Sequence, residues 1–315
     1  KSGAAKAEKK AARIAAEGIA KVAIDGNTAV VVEVNSETDF VAKNAIFQEF
    51  VQAVADKALT VDTEKAGDGE DVVSILDMKA DLDDKILKIG EKISIRRFEK
   101  VTADVVASYI HGGGRIGVLV AGNGASDDAA KEALTNIAMQ IAAMNPQYIS
   151  RDEISADELA KMKEITIDSA LNDPFSLPKP VLSKLIEKAV AGVWSAEDVA
   201  IYEEKKSNMN FLPNFLSKEA KAQLAEIACA DKEEISGNKI FSGLVEGRIS
   251  KQMKEICLLD QVYVKAEDGK QTVAAYLKSV NPALKIAKFV RFEVGEGMEK
   301  KNEDFAAEVA KQMNV

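Results

Sequence analysis

"GNTAVVVEVNSETDFVAKNAIFQEFVQAVADK", residues 26–57, lies over "GRIGVLVAGNGASDDAAKEALTNIAMQIAAMN", residues 114–145, when the chain is slid along itself by 88 residues. Ten of the 32 positions are identical without a gap, among them Gly26/Gly114, Asn35/Asn123, Asp39/Asp127 and Lys43/Lys131. A match of this length implies one supersecondary unit built twice. "KVAIDGNTAVVVEVN" sets two β-branched runs around Asp25-Gly26-Asn27, the pattern of a hairpin. Val41, Ile46, Phe47, Phe50, Val51 and Val54 then fall on one face of a helix from Phe40 to Leu59. Further on, "KILKIGEKISIRRFEKV" alternates at Ile93 and Ile95 and predicts a third strand. Its "RRFE" at 96–99 finds a counterpart in "VRFE" at 290–293. The fold class is therefore α+β: two related three-stranded antiparallel sheet/helix subdomains.

Between about Asp152 and Glu255 the sequence is charged and helix-favouring, broken by "NDPFSLPKP" and "NFLPNFLSKEA". It reads as a helical arm inserted into the second repeat. "QVYVKAEDGKQTVAAYL" resumes with a strand, a turn and a short helix. The expected organisation is a linker helix at 1–20, running from about Ala4 to Glu17, and a first subdomain at 21–102. A second subdomain takes 103–151 and 256–299, the arm takes 152–255, and a helix capped by Asn302 or Asp304 closes the chain at 300–315.

Composition narrows the function. With 315 residues, 47% hydrophobic and 30% charged, the chain can bury a sizeable core. A formal charge of -9 argues against a surface that wraps nucleic acid, since such binding neutralises phosphates. No apolar run reaches the roughly 18 residues of a membrane helix, and the start has no apolar signal region. The two cysteines, Cys229 and Cys257, form no disulfide framework, so a cytoplasmic location is expected. A single histidine, His111, excludes a zinc site built from imidazoles. No metal or cofactor is expected.

Asp39 recurs as Asp127, and a carboxylate accepting helix N–H bonds is the structural reading of both. Phe40 does not recur, because its counterpart is Asp128, so the repeated architecture does not demand the ring. Two outcomes are open: it packs into the first subdomain's core, or it projects as a binding anchor. Gly112, Gly113 and Gly114 occupy a hairpin position where positive φ is expected. "HGGG" at 111–114 also occurs as an esterase oxyanion loop, but the G-x-S-x-G elbow is missing and the only histidine lies inside the loop. A phosphate loop ending Gly-Lys-Ser/Thr is missing as well, so tight nucleotide binding by the chain itself is not expected. Met139 and Met144 have core spacing. Trp194, Phe175, Phe211 and Phe215 make either the arm's local core or a self-association face.

"EVNSETDFVAKN", "KIGEKISIRR", "SYIHGGGRIGVLV", "NIAMQIAAMNP" and "RFEVGEGMEKKNEDFAAEVAKQM" resemble the bacterial elongation factor Ts family, in that family's order over roughly residues 1–150 and 245–315. The resemblance implies a nucleotide exchange factor, not an enzyme, that binds the GTPase elongation factor Tu. It implies that the turn carrying Thr38, Asp39 and Phe40 sits against the GTPase beside its magnesium site, the ring wedged between two helices. Ile89, Gly90 and His111 are implied as further contacts. The arm matches poorly, and the family's dimerisation segment there makes a homodimer the corresponding expectation. The family's small N-terminal domain, with its Gly-Met-Met-Asp-Cys-like signature, has no counterpart in the resemblance. The rival reading is a scaffold that acts through its helical arm.

Overall fold

Gly26 and Asn27 turn the chain between β1 (Glu17–Asp25) and β2 (Thr28–Ser36), which pair antiparallel from Asp25↔Thr28 to Glu17↔Ser36. Gly26 adopts φ +60°, which glycine reaches without a Cβ penalty. The computed structural model describes residues 3–300. Two compact units divide the chain, one drawn from Lys1–Ile149 and Leu258–Val315, the other spanning Ser150–Cys257.

In chain order the first unit begins with α1 (Gly3–Glu8), β1 and β2, α2 (Asp39–Ala42), α3 (Ala45–Thr60) and β3 (Lys65–Ala66). It continues with α4 (Val72–Leu76), α5 (Lys79–Ile89), β4 (Ile93–Thr102), β5 (Val105–His111), β6 (Ile116–Asn123) and α6 (Asp128–Met144). The second unit contributes α7 (Ala156–Leu171), α8 (Lys179–Val190), α9 (Ala196–Lys205), α10 (Lys218–Ala230), α11 (Lys232–Ser236) and α12 (Lys239–Ile256). The first unit then resumes with α13 (Val273–Val280) and β7 (Lys285–Glu293). The fold is α+β, with antiparallel sheets ordered β1-β2-β4-β3 and β5-β6-β7.

β2 and β6 are buried along nearly their whole length because both faces are covered. Ala29 and Val31 face Leu119, Ala121, Val290 and Phe292 in a core between the sheets. On the outer faces, Val30, Val32 and Val34 lie with Phe47, Phe50 and Val51 of α3, while Val118 and Val120 lie with Leu134, Ile137 and Ile141 of α6. The first unit is thus layered helix, sheet, sheet, helix. The second unit has its own core, around Leu185, Ile186, Trp194, Leu212, Leu224 and Phe241.

Several expectations are corrected. The opening helix stops at Glu8, and β1 begins at Glu17, because pairing with β2 outweighs the helix preference of an Ala/Lys/Glu stretch. The first sheet gains a fourth strand, since the two residues of β3 pair with Glu99 and Phe98 at the free edge of β4. The helix from Phe40 to Leu59 is two helices, α2 and α3, broken at Lys43-Asn44. Ile46 is exposed just after that break. Residues 261–272 hold only an isolated bridge, Val262↔Thr272, where a strand was expected. Met139 is half-buried and Met144 exposed, so neither is core. Trp194 and Phe175 belong to the second unit's core, whereas Phe211 and Phe215 are exposed. The helix expected at 300–315, with Asn302 and Asp304, lies outside the described residues.

The repeat is present with a changed register. Both central strands shift pairing at the same repeat position, between Glu33 and Val34 in β2 and between Ala121 and Gly122 in β6. Val32 faces Phe98 and Val120 faces Phe289, so the counterpart of Phe98 is Phe289, and "RRFE" and "VRFE" are not equivalent in space.

Candidate functional site

The turn at the end of β2 is built from acceptors. Thr38 caps α2, its Oγ1 accepting from the Val41 N–H at 3.4 Å, and Thr38 rather than Asp39 is the N-cap. Asp39 is the first helical residue; its exposed carboxylate lies 3.7 Å from Lys43 Nζ. In the other copy Asp127 does cap its helix, accepting from the Ala130 N–H at 3.0 Å. The shared aspartate therefore serves two different purposes.

Phe40 is 80% exposed, more than any other large apolar side chain among the described residues. The alternative in which the ring packs into its own core is ruled out. Its backbone stands on firm ground, because Ala42 is buried and Val41 packs on the first-sheet core. Glu91 holds the turn from the side. One carboxylate oxygen accepts the Glu37 and Thr38 N–H groups at 3.1 Å each, and the other accepts the Thr38 hydroxyl at 2.7 Å. In return Glu37 accepts the Lys92 N–H at 2.7 Å and pairs with Arg13 at 3.2 Å. Glu91 and Glu37 were not singled out from sequence. The available signal was an acidic residue directly after "KIG" and another directly before "TDF", each flanking a strand end.

Ile89 is the last residue of α5 and is half-buried against the first-sheet core. Gly90 ends that helix at φ +86°, its N–H donating to Ile86 O at 2.9 Å, so a side chain there would be strained. Lys10 Nζ donates to Gly90 O. Ile89 and Gly90 thus immediately precede the residue that braces the Phe40 turn.

His111 is exposed at the end of β5, where Nδ1 and the Tyr109 hydroxyl share a hydrogen bond of 3.0 Å. Gly112, Gly113 and Gly114 all have positive φ, as that hairpin requires. Gly114 is also sterically confined: a Cβ there would come within 2.9 Å of Ile19, and its carbonyl accepts the Ala20 N–H at 2.7 Å. A depression of about 230 Å³ separates the two turns, lined by Asp39, Lys43, Gly112, Gly113 and Arg115 among others. The structure therefore sets Asp39 across the depression from Gly112 and Gly113, while Glu91, next to Gly90, is bonded to Thr38; Phe40 does not line the depression. His111 ends β5 directly before those glycines and does not line the depression.

Among the described residues no group of His, Cys, Asp and Glu side chains is arranged to hold a metal. Nor is any helix there long and apolar enough to cross a membrane. The geometry defines an α+β protein that displays one aromatic ring on a braced turn.

The sequence model of the family described as elongation factor TS matches residues 37–296. "Elongation factor Ts" of Clostridioides difficile (strain 630) is 39% identical over 319 aligned residues, covering 99% of this chain and 85% of the relative. "Elongation factor Ts" of Limosilactobacillus reuteri (strain DSM 20016) is 36% identical with the same coverage. The chain belongs to the elongation factor Ts family of translation elongation factors.

Proposed function

We propose that this chain promotes release of GDP from elongation factor Tu, with Phe40 entering between helices of the GTPase near its magnesium site. The observation that carries the reading is the 80% exposure of Phe40 on a turn fixed by Glu91. A buried core residue could not be removed from its own unit to serve as an anchor. A ring already exposed on a held backbone meets a partner with little ordering cost.

Exchange of this kind is linkage, not covalent chemistry. A factor that binds the nucleotide-free GTPase more tightly than the GDP form weakens GDP by the same ratio. Each tenfold step needs about 1.4 kcal/mol of differential binding. An aromatic anchor at an interface contributes about 2 kcal/mol or more. In this reading Ile89, Gly90 and His111 contact a second region of the GTPase, while Asp39 holds Lys43 along α2.

Stopped-flow release of a fluorescent GDP from elongation factor Tu tests the proposal. Phe40→Ala is expected to slow release by about thirtyfold or more at a fixed factor concentration. Release at the wild-type rate, with wild-type affinity, would refute the wedge. The rival scaffold reading draws on exposed Ile165, Phe211 and Ile240 in the helical unit. Removing that unit distinguishes the two.

A further inference from the structure

We infer that Glu91 is a positioning residue for exchange, fixing the height and direction of Phe40 and linking the Ile89-Gly90 strip to the Phe40 turn. The inference rests on the proposed function above and adds a residue that acts through the ring without touching the partner.

The geometry is that of a ladder continued by side chains. β2 and β4 pair as far as Ser36↔Ile93, beyond which the two chains part. On one side of the opening lie Glu37 and Thr38, on the other Glu91 and Lys92. Backbone carbonyls no longer reach across, and the next backbone donors would lose their acceptors. The two glutamates supply replacements reciprocally. Glu91 takes the Glu37 and Thr38 N–H groups and the Thr38 hydroxyl, and Glu37 takes the Lys92 N–H.

Those bonds act on the two residues directly preceding Asp39 and Phe40. The Thr38 hydroxyl also starts α2, so one carboxylate sets both the extended backbone of Thr38 (φ -127°, ψ 154°) and the helical turn that carries the ring. The Ser36 hydroxyl adds one bond to Thr38 O at 2.9 Å from within β2, and the Lys43 and Asn44 N–H groups close the turn onto Phe40 O and Val41 O. On the far side Glu91 follows Gly90 directly, the left-handed residue that ends α5 at φ +86°. Force applied at Ile89-Gly90 therefore reaches the Phe40 turn through the paired glutamates, with Glu91 making three of the four bonds across the opening.

The test measures fluorescent GDP release from elongation factor Tu over a range of factor concentrations. It yields a maximal rate and a half-saturating concentration for each full-length variant. Fewer folded molecules raise the half-saturating concentration but leave the maximal rate intact. A misdirected ring lowers the maximal rate itself. Glu91→Ala is expected to lower the maximal rate by about tenfold. Glu91→Gln, whose amide still offers an acceptor to the two N–H groups and a donor to Thr38, should recover most of it. Thr38→Val removes only the hydroxyl link and should produce an intermediate loss. In a Phe40→Ala background, Glu91→Ala should cost nothing further, since there is no ring left to aim. An unchanged maximal rate for Glu91→Ala overturns the inference, as does a full additional loss in the Phe40→Ala background. If Glu91→Ala fails to fold, the Gln and Val variants decide by the same measurement. Should Phe40→Ala alone exchange normally, it is the proposed function that fails, a result recorded independently of position 91.

Discussion

Glu33 is completely buried, yet its carboxylate is surrounded by donors. It accepts from Arg97 Nε at 2.6 Å, Arg96 at 3.2 Å, Asn35 Nδ2 at 2.9 Å and the Gly295 N–H at 2.9 Å. Arg97 also stacks on Phe292, 4.1 Å from the ring centre. One carboxylate thus ties the central strand β2 to β4 and to the chain just beyond β7. Burial of a charge is tolerable only while every partner stays. Glu33→Ala removes the acceptor that Arg96 and Arg97 share, leaving them Glu293 O and Glu296, and is expected to destabilise the first unit by about 3–5 kcal/mol. Amide hydrogen exchange in β2 and β4 would report it as lost protection. Unchanged protection would mean that Glu293 O and Glu296 suffice to hold the arginines. Sequence reading passed over Glu33 because an acid in a valine run resembles a solvent-facing position. Its repeat counterpart, Ala121, shows that the fold itself does not require a charge there. Phe40 stands out by the opposite route: it fails to recur, and the direction of its ring is a property of the folded turn that no repeat in the sequence specifies.

At the scale of elements, the repeat was legible and its register was not. The strand halves align at the offset of 88 residues, with the pairing shifts of β2 and β6 at equivalent positions. The buried faces of the helices do not follow that offset. Phe47, Phe50, Val51, Val54 and Ala55 of α3 take the places of Leu134, Ile137, Ala138, Ile141 and Ala142 of α6, one residue short of it. The extra residue is absorbed at Lys43-Asn44, where Asn44 starts α3 by accepting the Ile46 and Phe47 N–H groups at 2.8 and 3.3 Å. Identities such as Gln52/Gln140 kept the ungapped alignment attractive while packing had already slipped. In the second unit, two helix starts share one acid. Asp198 of α9 accepts from the hydroxyl of Ser195, which caps α9, and from the N–H and hydroxyl of Ser217, which caps α10. Burial pushes its pKa up, but the Ser217 and Ser195 bonds outweigh that and hold it below 3.8. A depressed folded pKa contributes stability that is complete above the unfolded value. That contribution is lost as pH falls through the folded one. Asp198→Asn is therefore expected to be about 1–2 kcal/mol less stable at pH 7, with the gap closing below about pH 4. The fluorescence of Trp194, the chain's only tryptophan, reports urea unfolding of this unit, because its indole N–H is buried against Ala220 O at 2.9 Å. A gap of constant size down to pH 3 would contradict the assignment.

For the whole molecule the telling feature is how the insertion joins its host. Ile149 and Leu258 flank the second unit, and the chain on either side is already hydrogen-bonded to itself: the Leu258 N–H donates to Tyr148 O at 2.9 Å and the Leu259 N–H to Ile149 O at 3.0 Å. The chain leading into the arm and the chain leaving it are thus held together by residues of the first unit. Among the described residues, the apolar cluster that runs from Leu134, Ile137 and Ile141 to Leu258, Tyr263 and Leu277 draws on the first unit's own side chains. A short flexible link of about two to four glycine and serine residues can span ends this close. Replacing residues 150–257 by such a link should leave the first unit folded, since closing a shorter loop costs less entropy than closing a long one. Far-UV circular dichroism should retain the β-sheet signal and a cooperative melt. With Phe40, Glu91, Ile89 and His111 all kept, the shortened chain should also still accelerate GDP release from elongation factor Tu, within about tenfold of the full chain. If it folds but releases no GDP above the spontaneous rate, the activity belongs to the helical unit, and the scaffold reading replaces the wedge. If it folds and is active, the exposed Ile165, Phe211 and Ile240 serve something other than exchange, and the site at the braced turn is sufficient for it.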